Sequence, residues 1–343
     1  MNTTANLSKN LTKEDLIKDF DMTNCLVERM EVPCFVDMNK VPKKDPNYVF
    51  DEKVLNQVLL FLSDPCNDCL FLSGESGCGK TSIILQTASR LGYAVEQVTC
   101  SAKTEIQDLI GHQVIKKGTL SYEYGVLTNA MKDGEILLIN EIDMLNAGEL
   151  SGLNDLLEGK PLTIIQNNGE VIYPHPNFRV IATGNTKGNG DSTGLYLGAR
   201  VLNKAFLDRF RFIDCNYPSV EAEKSILSKS CPKIKDEDLN LFVQFADKVR
   251  SLNGLSDDNS RDLSYPFTTR TLLRVAKLYS NVERYSVNEA VTFGFSSRLP
   301  SVEKDFIDRL VCEIFGYEHK KELINAHEVV NKVLKTEKSK KRA

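Results

Sequence analysis

Short apolar runs at residues 69–73, 94–99, 136–139, 178–183 and 211–215 alternate with stretches of helical periodicity. After the first run, Ile84, Ala88 and Leu91 stand at offsets of four and seven, which predicts a helix with one buried face. Strands separated by helices imply a parallel sheet covered on both faces, and such a sheet holds its ligand at the carboxyl ends of its strands. Two polar insertions interrupt the alternation. Residues 112–125 carry Gly118 at a hairpin turn, and residues 161–174 carry the hairpin signal Asn168-Gly169. From residue 218 the pattern becomes helical. Leu239, Phe242, Ala246 and Val249 form one stripe ended by Gly254, and Leu272, Ala276 and Tyr279 a second capped by Thr268 or Thr269. Phe306, Leu310, Val311 and Ile314 form a third, ended by Gly316.

These patterns divide the chain into an extended N-terminal arm over 1–46, an α/β core over 47–217, an all-helical unit over 218–330 and a basic tail over 331–343. The arm is polar and broken by Pro33, Pro42 and Pro46, with a short helix expected over 13–20. A length of 343 residues with 41% hydrophobic and 26% charged residues supports normal cores. A net charge of −4 provides no strong field for nucleic acid or membrane, and the one basic cluster, Lys338, Lys340, Lys341 and Arg342, reads as a solvated end. No apolar run reaches the roughly 18 residues of a membrane span, and the N-terminus lacks a signal-peptide pattern, so a cytoplasmic protein is expected. Nine scattered cysteines argue against a disulfide framework. Cys66 and Cys69 form a C-x-x-C pair without a second pair, and His112, His175, His319 and His327 lack ligand spacing, so no protein-held transition metal is expected.

The chemistry centres on Gly74, Glu75, Ser76, Gly77, Cys78, Gly79, Lys80 and Thr81, a phosphate-binding loop between the first strand and its helix. Glycines admit backbone N–H groups to phosphates, Lys80 offers a point charge, and Thr81 offers a hydroxyl to Mg²⁺. ATP and Mg²⁺ are therefore the expected cofactors. The third apolar strand ends in Asn140 and Glu141, where the usual pattern is Asp-Glu. Asn140 can still accept a hydrogen bond from metal-bound water, without the charge that makes such bonds roughly twice as strong. Glu141 retains a carboxylate for general-base work, and Asp143 either compensates for the missing charge or, as the favoured reading, is an ordinary surface acid. Asn185, ending the next strand, is placed to orient an attacking water. Arg209, with Arg211 as competitor, is either a salt-bridge residue or a finger reaching a neighbour's γ-phosphate. Arg270, with Arg274 as alternative, opens the second helix of the helical unit and is a candidate contact to the same phosphate in cis.

Together these features resemble the AAA+ superfamily in its MoxR and dynein-related branch. The stretches VPKKDPNYVFD, DLIGHQVIKKG, HPNFRVIATGNTKGNGD, GLYLGA and PFTTRTLLR are similar to the ATPase subunit family of cobaltochelatase (CobS-like), with similarity over about residues 28–316. The resemblance implies a P-loop AAA+ core with a five-stranded parallel sheet flanked by helices, two β-hairpin insertions and a C-terminal helical lid. It also implies a homo-oligomeric ring, a hexamer, with ATP between neighbouring subunits. By motif match, Thr81 and Asn140 serve the metal, Glu141 is the catalytic base, Asn185 the first sensor, Arg209 the trans finger and Arg270 the second sensor. The hairpins match insertions that face the ring's pore or its partner, with Lys116, Lys117, Tyr122 and Tyr124 as candidate contacts. The family works with a protein bearing a von Willebrand-type metal-adhesion domain and with a large client subunit that inserts cobalt into a corrin ring. The expectation is a motor that remodels a partner complex. The alternatives are a MoxR-like chaperone motor with another client, a nucleic-acid-associated motor, which low net charge disfavours, and a nucleotide-gated scaffold with negligible turnover.

Overall fold

The computed structural model describes residues 8–35, 37–116, 118–191, 196, 198–252, 263–281 and 285–316. Its backbone contacts divide the chain into two units, Met1–Tyr217 and Pro218–Ala343.

The first unit opens with a folded element where an extended arm was expected. β1 (Ser8–Thr12) pairs antiparallel with β2 (Arg29–Pro33), and α1 (Lys13–Phe20) occupies the predicted helix between them. Thr12 closes a capping box with Asp15 at the start of α1. Leu11, Leu16, Phe20, Met30 and Val32 are buried and join the same core as the helices that follow. Alternation explains the difference: Met30 and Val32 point inward between exposed Arg29 and Glu31, so a polar average conceals a half-buried strand.

α2 (Glu52–Ser63) is capped by Asp51, which accepts from Lys53 N and Val54 N. It is followed by β3 (Cys69–Ser73), α3 (Lys80–Leu91) and β4 (Val95–Thr99). α4 (Ile106–Ile110) leads into the hairpin of β5 (Gly111–Lys116) and β6 (Thr119–Tyr124), then α5 (Val126–Asp133) and β7 (Ile136–Asn140). α6 (Ala147–Gly152) and α7 (Asn154–Leu157) precede the second hairpin, β8 (Leu162–Ile164) and β9 (Glu170–Ile172). β10 (Arg179–Gly184), α8 (Lys204–Leu207) and β11 (Phe210–Asp214) complete the unit. The five predicted strands form one parallel sheet in the order β11-β3-β10-β7-β4. Leu70, Leu72, Ile136, Leu138 and Ile181 pack on one face, and Phe71, Leu137, Ile139, Val180 and Ala182 on the other. This two-faced burial is why the strands read as continuous apolar runs.

Both expected hairpins form, and they touch. Gln113 Nε2 donates to Gln166 O at 2.8 Å, and Tyr124 OH donates to the Glu170 carboxylate at 2.7 Å. Asn168 and Gly169 both take left-handed backbone (φ 55° and 72°) at the end of the second turn. Tyr122 and Tyr124 pack against the core rather than projecting as contacts, and Lys116 pairs with Glu123 across the strands. Lys117 lies outside the described residues. Ile115, Leu120, Ile165 and Tyr173 are among the apolar side chains that project, at 77%, 61%, 85% and 71% exposure.

The second unit packs α9 (Val220–Ser230), α10 (Asp236–Leu252), α11 (Thr269–Asn281), α12 (Val287–Gly294) and α13 (Ser301–Phe315) around its own core, which includes Phe242, Phe245, Phe267, Phe295 and Phe315. The first stripe is buried throughout, and Gly254 lies outside the described residues. Thr268 is the cap of α11, its hydroxyl accepting from Thr271 N at 3.1 Å. The third stripe turns by one position. Phe306 is 40% exposed, and Ile307 faces inward with Leu310, Val311 and Phe315. Spacings of three, four and eight from Ile307 describe that face better than the spacing from Phe306.

Candidate active site

The phosphate-binding loop lies between the carboxyl end of β3 and the start of α3. Gly74 is forced by space, since a Cβ there would sit 2.0 Å from Cys215 O. Gly79 (φ 104°) caps α3 without any side-chain hydrogen bond, which leaves the helix's first N–H groups to face the loop. Lys80 follows and is only 7% exposed. Its Nζ donates to Gly74 O (2.7 Å), Glu75 O (3.0 Å) and Asn185 Oδ1 (3.1 Å).

β7 and β10 are neighbours in the sheet and end beside this loop. Thr81 Oγ1 donates to Asn140 Oδ1 at 2.6 Å, and Thr183 Oγ1 donates to the same oxygen at 3.3 Å. Asn140 Nδ2 donates to Val98 O at 3.3 Å, which fixes the amide with its oxygen toward Thr81. An aspartate in the same rotamer would set a carboxylate oxygen against that carbonyl, a contact the amide avoids. Thr81 and Asn140 offer two neutral oxygens in one place, beside the Glu141 carboxylate. That set suits a hard cation that keeps several of its waters, such as Mg²⁺.

Glu141 has left-handed backbone (φ 55°, ψ 42°), a conformation that costs a residue other than glycine of order 1–3 kcal/mol. Its Oε2 accepts from Asn185 Nδ2 at 2.6 Å. Asn185 thereby bridges Lys80 through its oxygen and Glu141 through its nitrogen. Burial pushes the Glu141 carboxyl above the usual range, and the Asp143 carboxylate adds to this, while Lys80 and the Asn185 bond pull it back.

Asp143 is not the surface acid expected. It is 1% exposed, and its Oδ2 accepts from Asn185 N (3.0 Å), Thr186 N (3.1 Å) and Thr186 Oγ1 (3.1 Å). It sets the backbone that carries Asn185, and its other oxygen, Oδ1, is buried without a hydrogen-bond partner. The only local sign was its place between Ile142 and Met144 in a short helical turn.

The two candidate arginines of the first unit lie elsewhere. Arg209 stands at the amino end of β11, where its carbonyl accepts from Cys69 N at 2.9 Å. Its guanidinium pairs with Glu158 in the same chain, with Nε at 3.0 Å from Oε1. Arg211 is held by Asp68 (2.8 Å) and by the carbonyls of Asp64 and Pro65. Arg209 and the phosphate loop are thus at opposite ends of β3, about 16 Å apart at roughly 3.3 Å per residue. Arg270 belongs to the helical unit. It is exposed in the first turn of α11 and, among the described residues, forms no hydrogen bond or ion pair. Arg274 Nη1 is bound to Gly294 O at 3.2 Å.

Comparison with known proteins places this geometry in a family. Residues 69–210 match the AAA domain (dynein-related subfamily). The chain is 31% identical over 251 residues to the aerobic cobaltochelatase subunit CobS of Sinorhizobium sp., covering 69% of this chain and 72% of that one. It is 28% identical over 224 residues to the protein NorQ of Paracoccus denitrificans, covering 65% and 78%. It is 25% identical over 269 residues to the von Willebrand factor A domain-containing protein 8 of Mus musculus, covering 71% of this chain and 14% of that much longer protein. The chain belongs to the AAA+ family of P-loop ATPases, in the dynein-related, MoxR-like branch together with CobS and NorQ.

Proposed function

We propose that this protein is a ring-forming, Mg²⁺-dependent ATP hydrolase that remodels a partner complex in the cytoplasm. The observation that carries the reading is the chain of contacts Lys80–Asn185–Glu141, joining the phosphate loop, the sensor strand and the base strand at adjacent strand ends. Gly74 to Thr81 cradle the phosphates, and Lys80 exchanges its loop carbonyls for phosphate oxygens. Thr81 and Asn140 hold the Mg²⁺, which supplies charge neutralisation for the phosphates when bound. Glu141 takes the proton of the attacking water, and Asn185 orients that water and the carboxylate together. Asp143 keeps Asn185 in place.

Arg209 cannot reach its own phosphate loop across the sheet, which supports its role as a finger acting on a neighbouring subunit in a hexamer. The Glu158 pair is then the resting partner from which Arg209 is released. Arg270, exposed and without a partner among the described residues, serves as the second sensor. The helical unit acts as a lid, and the hairpins carry the contact surface through Ile115, Leu120 and Ile165. Similarity to CobS and to a von Willebrand A domain protein supports a metal-adhesion-domain partner and a large client, with a cobaltochelatase-type complex as one case.

The test is capture with the Glu141→Gln protein, which binds ATP but hydrolyses it slowly. ATP-dependent recovery of a protein with a von Willebrand A domain, identified by mass spectrometry, is the expected result. Recovery of nucleic acid alone, or of the same proteins with and without ATP, would contradict the remodelling reading.

A further inference from the structure

We infer that Tyr196 is a positioning residue of the nucleotide site, a phenolic clasp that sets the shape of the phosphate loop. The inference rests on the reading of residues 74–81 as the nucleotide cradle.

Ser76 N donates to the Tyr196 hydroxyl at 3.2 Å. The carbonyl of Glu75, which belongs to the same peptide group, accepts from Lys80 Nζ at 3.0 Å. The Glu75–Ser76 peptide plane is therefore held on both edges, by Lys80 on the oxygen and by Tyr196 on the nitrogen. Tyr217 OH donates to Ser76 O at 3.2 Å and holds the next peptide plane. Immediately beyond stands Gly77, in left-handed backbone (φ 77°) that glycine leaves at little cost. The orientation of these two planes decides where the following N–H groups point, and those are the groups a phosphate cradle offers. A Ser76 N–H engaged by a phenol is also a donor withdrawn from the cradle, so its use here is architectural.

Tyr196 is itself tied to the base and sensor strands. Its N–H donates to Asp191 Oδ2 at 2.6 Å, and its carbonyl accepts from Ala199 N at 2.9 Å. Arg200 N then donates to Asp143 O at 2.8 Å. Asp143 is the residue whose carboxylate seats Asn185 and Thr186. The phosphate loop and the sensor are thus joined twice, once through Lys80 and Asn185 and once through Tyr196 and Asp143. Tyr196 stands within the GLYLGA stretch, but its contact with Ser76 spans 120 residues and is not readable from that stretch.

Tyr196→Phe keeps the ring and removes the one acceptor. Measured in the Glu141→Gln background by titration with ATP and Mg²⁺, its dissociation constant is expected to rise about three- to tenfold, the size of one neutral hydrogen bond. With Glu141 intact, KM for ATP rises by a similar factor and kcat changes by less than about twofold, a split that a loss of folding would not produce. The melting temperature without nucleotide falls by no more than about 5 °C, as the loss of one neutral hydrogen bond allows. Unchanged or tighter ATP binding by Tyr196→Phe would overturn the inference. Absence of ATP binding by the parent Glu141→Gln protein would instead overturn the nucleotide reading. A second variant is independent of affinity. The chain has no tryptophan, so Tyr196→Trp carries the sole indole. Its emission is expected to shift when ATP and Mg²⁺ are added, and constancy at saturating ATP would place residue 196 away from the loop and overturn the clasp.

Discussion

Glu141→Gln is expected to lower kcat for ATP hydrolysis by about 10²- to 10⁴-fold, the range that a positioned general base contributes, with ATP affinity retained. Glutamine keeps the shape and the oxygen that accepts from Asn185 Nδ2, so the substitution removes proton acceptance and little else. The pH dependence follows from the environment of the carboxyl. Burial raises it above the ordinary glutamate value, with a further push from Asp143. A base works deprotonated, so the rate falls as pH drops through this raised value, and the acid limb of the profile lies above the ordinary glutamate range. The stability sign is opposite. The folded state binds the Glu141 proton more tightly than the unfolded chain, so this group loses stability for the fold as pH rises from the unfolded value through the folded one. At neutral pH the Glu141→Gln protein is therefore expected to melt no lower than wild type. Steady-state hydrolysis and thermal melting check both statements. A variant within about threefold of wild-type kcat would remove Glu141 from the base role.

The second large effect belongs to the helical unit. Arg250 clasps Glu223 with two parallel bonds of 2.9 and 2.8 Å, and its Nε donates to Phe267 O at 2.8 Å. Thr269 Oγ1 adds a bond of 2.7 Å to the same carboxylate, which is 2% exposed. Arg250→Ala leaves a buried carboxylate without its cation, a defect worth about 3–5 kcal/mol. For a unit of this size that lowers the melting temperature by more than about 10 °C. Replacing both partners by apolar residues of similar volume, as in Glu223→Leu with Arg250→Met, is expected to recover most of the loss, because the isolated charge and not the missing pair carries the cost. Calorimetry on the full chain distinguishes these results. An Arg250→Ala transition within a degree or two of wild type would show that the carboxylate finds water or another donor. The pair also sets the turn before α11, since it holds Phe267 and Thr269 on either side of the Thr268 cap, and Arg270 follows directly.

The strands and the phosphate loop were legible because their signals are local. A run such as CLFLS buried on both faces, followed by glycines and Gly-Lys-Thr, needs no distant information. Asn185 was legible by its register at a strand end. What escaped depends on separations that periodicity does not carry. Asp143 is buried because β10 delivers Asn185 and Thr186 to it from more than 40 residues away, a contact that its apolar neighbours Ile142 and Met144 do not specify. The pairing of Arg209 with Glu158 spans 51 residues. Residues 1–46 read as an arm because the two-stranded element with one capped helix over residues 8–33 needs few apolar side chains when it shares a larger core. In α13 the choice between Phe306 and Ile307 was a rotation of one position, which an apolar neighbour on each side leaves open.

A site completed by Arg209 of a neighbouring subunit predicts rescue between two subunits that are each inactive alone. Arg209→Ala subunits are mixed with Glu141→Gln subunits, each nearly inactive alone, and ATP hydrolysis is measured in particles confirmed as oligomers by light scattering. Half of the sites keep the base and half of those face an intact arginine, so recovery to about a quarter of the wild-type rate is expected at equal proportions. No recovery in confirmed mixed oligomers would contradict the shared site and return Arg209 to a salt bridge with Glu158.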